Sequence, residues 1–225
     1  MFFDEGIERA KFLDAELART GKPIGPLHGL PISLKDTFRY AGYDATGGIV
    51  GAANDPVDEH EPFVKLLLDA GAVLYCKTNI PQSLMTADSQ NHLYGRTLNP
   101  LNIKLTAGGS SGGEGSLICF GGSVLGFGTD IAGSIRIPSW AHGGYSLKPT
   151  TARVPYYGSS SLHGSGIFGI YPVAGPLATS SRSVNSKHPV NFVVYNFGEA
   201  ILTSCSGHGS YHGSQALGNR FHMLA

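Results

Sequence analysis

Between Gly108 and Arg136 the chain reads GGSSGGEGSLICFGGSVLGFGTDIAGSIR, two glycine-wrapped serine sites joined by a short apolar segment. Glycine at this density lets backbone approach backbone or ligand closely and admits φ > 0. A serine on such a loop presents its hydroxyl among N–H groups, which is what an acyl-transfer centre needs. Gly/Ser-rich runs more often serve as linkers. On that plainer reading Ser110 and Ser111 are ordinary loop residues and Ser134 is a helix cap. Ile118, Val124, Leu125, Phe127 and Ile131, threaded between the serines, speak for folded core instead.

Composition narrows the class. With 225 residues the chain is long enough for one domain with a core. Only 14% of residues are charged and 32 are glycine, which favours a loop-rich, buried chain over a coiled coil. Sixteen basic and sixteen acidic residues cancel, so no basic excess points to nucleic acid. The three cysteines, Cys76, Cys119 and Cys205, are far apart and odd in number, and read as small buried hydrophobes, not a disulfide framework. No apolar run approaches the ~20 residues of a membrane span. The opening MFFDEGIERA lacks the basic start of a secretory signal, so a cytoplasmic setting is expected.

Periodicity places the elements. Ile7, Ala10, Leu13 and Leu17 predict an amphipathic helix over Asp4 to Thr20, with Asp4 as N-cap and Gly21 and Pro23 as the stop. Leu30 to Leu34 reads as a short strand that leads Lys35 inward, with Asp36 as a structural partner. By pattern alone a surface lysine is the better reading, because burying a charge is costly. A loop over Tyr40 to Asp58 precedes a helix with Pro62 in its first turn, the apolar face Phe63, Leu66, Leu67 and Ala70, and the terminator Gly71. Ala72 to Cys76 is a buried strand, and Pro81 to Met85 a short helix or turn. Further on, the pattern predicts a helix over Glu114 to Phe120, a strand over Ser123 to Thr129, and a helix over Arg136 to Trp140 whose N–H groups face the site. Ser146 to Gly158 reads as a turn and strand, and Tyr171 to Ala178 runs back across the sheet. Alternating helix and strand predict an α/β fold with a mixed sheet flanked by helices.

Several blocks together resemble the amidase signature family. They are GPLHGLPISLKD (Gly25 to Asp36), KTNIPQSLMTADS (Lys77 to Ser89), GRTLNP (Gly95 to Pro100), the double serine stretch, SLKPTTARVPYYG (Ser146 to Gly158) and PVAGPLATSSRSV (Pro172 to Val184). Co-ordered blocks are far more specific than a lone glycine loop. The resemblance implies an amidase that hydrolyses carboxamides to acid and ammonia or amine, through a Ser–cis-Ser–Lys triad and an acyl-enzyme. Ser134 maps onto the nucleophile, Ser110 onto the bridging serine preceded by a cis peptide, and Lys35 onto the base. Burial and the nearby Arg136 are expected to keep Lys35 neutral. The N–H groups of Ile131, Ala132, Gly133 and Ser134 are the expected oxyanion hole, with Ser111, Thr129, Asp130 and Arg136 around the relay. His28 is read as structural.

The family implies no cofactor and no metal, a small-molecule amide as partner, no nucleic acid, and a homodimer as a candidate assembly. Residues 1–184 form the expected partial amidase domain. Residues 185–225 match nothing expected there and form a divergent tail. Against the family's pattern the chain is expected to lack N-terminal helices and a C-terminal half that supplies strands and much of the substrate pocket, which would leave exposed apolar faces. The alternatives are an inactive amidase fragment, a protein like the amide-cleaving component of a glutamine-dependent tRNA amidotransferase, and a non-catalytic interaction module. Cys205, His208 and His212 are too loosely spaced for a metal site. Tyr156 and Tyr157 read as strand packing or a channel lining.

Overall fold

The computed structural model describes residues 1–156, 158–159 and 170–184. The tail, its Cys205, His208 and His212, and Tyr157 lie outside the described residues.

A five-stranded mixed sheet carries the fold, in the order β2-β1-β5-β7-β6. The strands are β1 (Pro31–Lys35), β2 (Val73–Thr78), β5 (Leu125–Asp130), β6 (Tyr145–Ser146) and β7 (Val173–Ala178); β3 (Gln90–Asn91) and β4 (Gly95–Arg96) form a separate pair. β2, β1 and β5 run parallel, and β7 and β6 complete the sheet antiparallel. The helices are α1 (Phe3–Thr20), α2 (Pro62–Asp69), α3 (Gly112–Cys119), α4 (Arg136–Ala141) and α5 (Ser181–Val184). Among the described residues no helix is long and apolar enough to cross a membrane.

Successive side chains of a strand face opposite sides, and β1 divides its work accordingly. Ile32 and Leu34 join Phe38, Phe63, Leu67 and Phe127 in the main core. There the Phe63 ring sits 5.0 Å from Phe127, edge on, and 5.3 Å from Phe38. Ser33 and Lys35, fully buried, meet residues from α3 and from the loop before it. A smaller cluster of Ile118, Ile135 and Leu177 fills the space between α3, the start of α4 and β7.

Gly21, at φ 68, ends α1 as expected, but Asp4 is not its cap. The cap position belongs to Phe2, which makes no side-chain capping bond. Its ring is buried and stacked on Tyr40 at 4.3 Å. Ile7 and Leu17 are exposed, because the helix packs through Gly6 and Leu13, and Gly6 lies against Leu74 and Tyr75 of β2. α3 begins two residues before the expected Glu114, inside the glycine loop. The strands that carry the site end later than the apolar runs alone suggested, since ladder bonds continue through Lys35, Thr78 and Asp130. Large apolar side chains do stand exposed, among them Trp140, Phe120, Ile103 and Leu101.

Candidate active site

The carboxyl ends of β1 and β5 converge with the two serine loops. Lys35, last residue of β1, is fully buried; its Nζ donates to Ser110 Oγ at 2.7 Å and to Thr129 Oγ1 at 2.7 Å. Burial pushes its amine down to about 7, against the opposing pull of Asp130, Glu114 and Asp36. Arg136, expected to assist, is not among the causes, because its guanidinium is committed to Asp130. Asp36 is not the lysine's direct partner either. Its carboxylate accepts from Thr46 Oγ1 and the Gly47 N–H and lies 3.8 Å from Lys77.

Ser110 follows a cis peptide from Gly109 and is buried. Gly108, at φ 70, is backed so closely by Pro138 that a Cβ would lie 2.9 Å from the proline Cα. Ser111 ties the two serine loops together. Its N–H donates to the Ser134 carbonyl at 3.1 Å, and its hydroxyl meets the Thr129 N–H at 3.3 Å. Ser134 is half-buried, and its hydroxyl makes no hydrogen bond among the described residues.

Asp130 organises the second loop. Its carboxylate is fully buried and accepts from the N–H groups of Gly133 (2.8 Å) and Ile135 (3.1 Å) and from Arg136 Nε (3.0 Å) and Nη2 (2.9 Å). Burial pulls the carboxyl up, but the bonds from Arg136, Ile135 and Gly133 and the arginine charge outweigh it and hold it below the usual range. This loop corrects two expectations. The Gly133 N–H is engaged by Asp130, which leaves Ile131, Ala132 and Ser134 with N–H groups unclaimed among the described residues. The N–H groups at the start of α4 also turn onto Asp130 and not toward a ligand space.

Sequence reasoning missed the layer beneath. Glu114 is fully buried, with Oε2 2.6 Å from Ser33 Oγ and Oε1 2.7 Å from Thr78 Oγ1. Burial pushes its carboxyl up to about 7, against those contacts and the charge of Lys35. Lys77 is nearly buried, bonded to the Asp44 carbonyl, and its amine is lowered by burial against Asp36, Glu61 and Asp44. The one signal was a single acid set among Gly112, Gly113 and Gly115 in a charge-poor chain. His28 is structural as expected, its Nδ1 accepting from the Ile24 N–H. Tyr156 packs against the main core. Among the described residues no three His, Cys, Asp or Glu are grouped to hold a metal ion.

The Amidase family model matches residues 1–187. An amidase of Gibberella moniliformis is 44% identical over 185 residues, covering 82% of this chain and 35% of the relative. An acetamidase of Emericella nidulans is 42% identical over 180 residues, covering 80% of this chain and 32% of the relative. The chain thus spans about a third of the length of these curated relatives. Among solved structures, a fatty acid amide hydrolase superposes with a TM-score of 0.84 at 37% identity, over 96% of this chain and 37% of that one. With the family model matched over most of its residues and the same fold at that identity, the chain belongs to the amidase signature family.

Proposed function

We propose that this chain carries the acyl-transfer centre of a serine amidase that hydrolyses linear carboxamides to carboxylic acid and ammonia or amine. The observation that supports it most is the buried contact between Lys35 Nζ and Ser110 Oγ. A lysine brought near neutrality inside the core is a base, not a surface charge.

In this reading the free amine of Lys35 accepts the Ser110 proton as Ser110 accepts that of Ser134. Ser134 Oγ then bonds to the amide carbon, and the carbonyl oxygen becomes an oxyanion facing the N–H groups of Ile131, Ala132 and Ser134. One such donor is typically worth ~3–4 kcal/mol. The proton returns along the relay to the leaving nitrogen, the C–N bond breaks, and an acyl-Ser134 ester remains. Water attacks the ester with the relay working in the same sense, releasing the acid and restoring Ser134. Ser111 and Thr129 hold the two loops and the lysine in register, and Asp130 with Arg136 fixes the nucleophile's turn. The similarity to an acetamidase supports small linear amides as substrates. One observation favours the rival of an inactive relic: among the described residues the Ser134 hydroxyl makes no hydrogen bond, to Ser110 or otherwise.

Labelling of the folded chain with a fluorophosphonate tests the proposal. The expected result is one adduct on Ser134, absent from Ser134→Ala and formed about 10²–10⁴-fold more slowly in Lys35→Ala. A folded sample that takes up no label, or a label that persists in Ser134→Ala, overturns it.

A further inference from the structure

Beneath the relay runs a row of polar contacts, beside which the Tyr75 hydroxyl donates its own hydrogen to the Gly122 carbonyl at 2.6 Å. Glu114 Oε2 lies 2.6 Å from Ser33 Oγ, Ser33 Oγ lies 3.0 Å from Ser123 Oγ, and Ser123 Oγ lies 2.7 Å from the Leu125 carbonyl oxygen. Three contacts need three hydrogens, and the two serines own one each. The carbonyl at the far end has none. With Ser123 donating to Leu125 and Ser33 donating to Ser123, the third hydrogen falls on the carboxyl, which donates to Ser33. An ionised Glu114 would take the Ser33 hydrogen and leave one contact without a hydrogen, either Ser33–Ser123 at 3.0 Å or Ser123–Leu125 at 2.7 Å. On the other side, Thr78 donates its hydrogen to Glu114 Oε1 at 2.7 Å, while the Leu34 carbonyl stands further off at 3.4 Å.

We propose that Glu114 sits in the core as a neutral carboxylic acid and is a positioning residue that leaves Lys35 as the free amine; the second half rests on the amidase reading. Where Lys35 and Glu114 hold one proton between them, the hydrogen-bond row places it on the acid. The other groups facing Lys35 are Asp130 and Asp36. Asp130 is answered by Arg136 and loop N–H groups, and Asp36 by Thr46, Gly47 and Lys77. Glu114 itself also faces Tyr75 and Cys76, neither of which brings a positive charge. Its ionisation would therefore bear directly on the lysine, favouring the ammonium form that cannot accept a proton from Ser110.

The test needs a readout apart from catalysis. Infrared spectra of the full chain labelled with ¹³C-glutamate, taken near pH 8, where Lys35 is the free amine, separate a protonated carboxyl from a carboxylate. Glu61 is a second buried acid with its own band, so Glu114→Gln and Ser33→Ala identify the band of Glu114. The expected result is a protonated band that Glu114→Gln removes and Ser33→Ala shifts. Glutamine reproduces the donor to Ser33 and the acceptor for Thr78. The fluorophosphonate labelling rate should therefore stay within about twofold, with its acid limb unmoved. If no protonated band beyond that of Glu61 appears, the proposal fails. It also fails if the acid limb in Glu114→Gln moves lower by about one pH unit, as loss of an ionised neighbour would cause. Should Glu114→Gln not fold, the band and its shift in Ser33→Ala decide the matter. A protonated band with no labelling in any variant upholds the neutral acid and counts against the amidase reading alone.

Discussion

Lys35 Nζ and Ser110 Oγ stand 2.7 Å apart, on side chains that are 0% and 1% exposed. They lie 75 residues apart in sequence, Lys35 at the end of β1 and Ser110 in the loop that leads into α3, and the packing of α3 on β1 brings them together. With burial placing the amine near 7, Lys35 is a free amine above that value and protonated below it. The labelling rate of Ser134 should rise with pH to a plateau above about 7 and fall roughly tenfold per pH unit below it. Lys35→Ala should lower the plateau by about 10²–10⁴-fold. A rate that is flat from pH 5 to 9 would remove Lys35 from the base role.

Asp130 and Arg136 make the second prediction. The carboxylate is fully buried and the guanidinium is half-exposed, so the two ends are unequal. Asp130→Ala strips acceptors from the Gly133 and Ile135 N–H groups as well as from the arginine, and should cost about 3–5 kcal/mol in chemical denaturation. Arg136→Lys keeps a charge but loses the two-pronged contact, and should cost about 1–2 kcal/mol. Equal losses from the two variants would mean that the ion pair, not the backbone cradle, holds the loop.

What was legible in the sequence was local or carried by a motif. Gly21 and Gly71 stop their helices where the periodicity ends, and the longer segments of apolar patterning became helix or strand. Lys35 is different: the pattern of its own strand favours a surface position, and only the co-ordered blocks pointed inward. Glu114 was illegible because its partners, Ser33 and Thr78, lie 81 and 36 residues away. The Asp4 cap failed because the Phe2 ring found a stacking partner in Tyr40, a tertiary contact that outweighs a capping preference. The engagement of Gly133 by Asp130 was hidden for a similar reason. A spacing of three residues permits that turn without requiring it.

Gly126 on β5 is a third point of test. A Cβ there would overlap Glu114 Oε2 and come within 2.6 Å of Ser33 Oγ. Both neighbours are fully buried, so neither can swing into solvent. Gly126→Ala should destabilise the chain by about 1–3 kcal/mol in urea titrations. Gly51, where an added Cβ meets nothing within 4 Å, supplies the control, and Gly51→Ala should stay within about 0.5 kcal/mol. A silent Gly126→Ala would show that β1 and α3 can separate without cost, against the tight packing around Glu114.

Glu61 gives a stability test away from the serines. It stands at the N-cap position of α2 without a side-chain capping bond and is 3% exposed; Oε2 accepts the Arg39 N–H at 3.0 Å, while Oε1 has no partner among the described residues. Burial pushes its carboxyl up to about 8 from the ordinary 4.5, against the Arg39 N–H and the charges of Lys77 and Arg39. A folded-state value above the unfolded one means that the folded chain holds the proton more tightly. The contribution is complete below about 4.5 and is lost as pH rises to about 8. At about 1.4 kcal/mol for each pH unit between the two values, the loss is on the order of a few kcal/mol. Glu61→Gln keeps an acceptor for Arg39 and cannot ionise, so its urea midpoint should decline less over that window than the parent's. Parallel declines in the two proteins would mean that Glu61 is already ionised in the folded chain, with water or Lys77 compensating its charge.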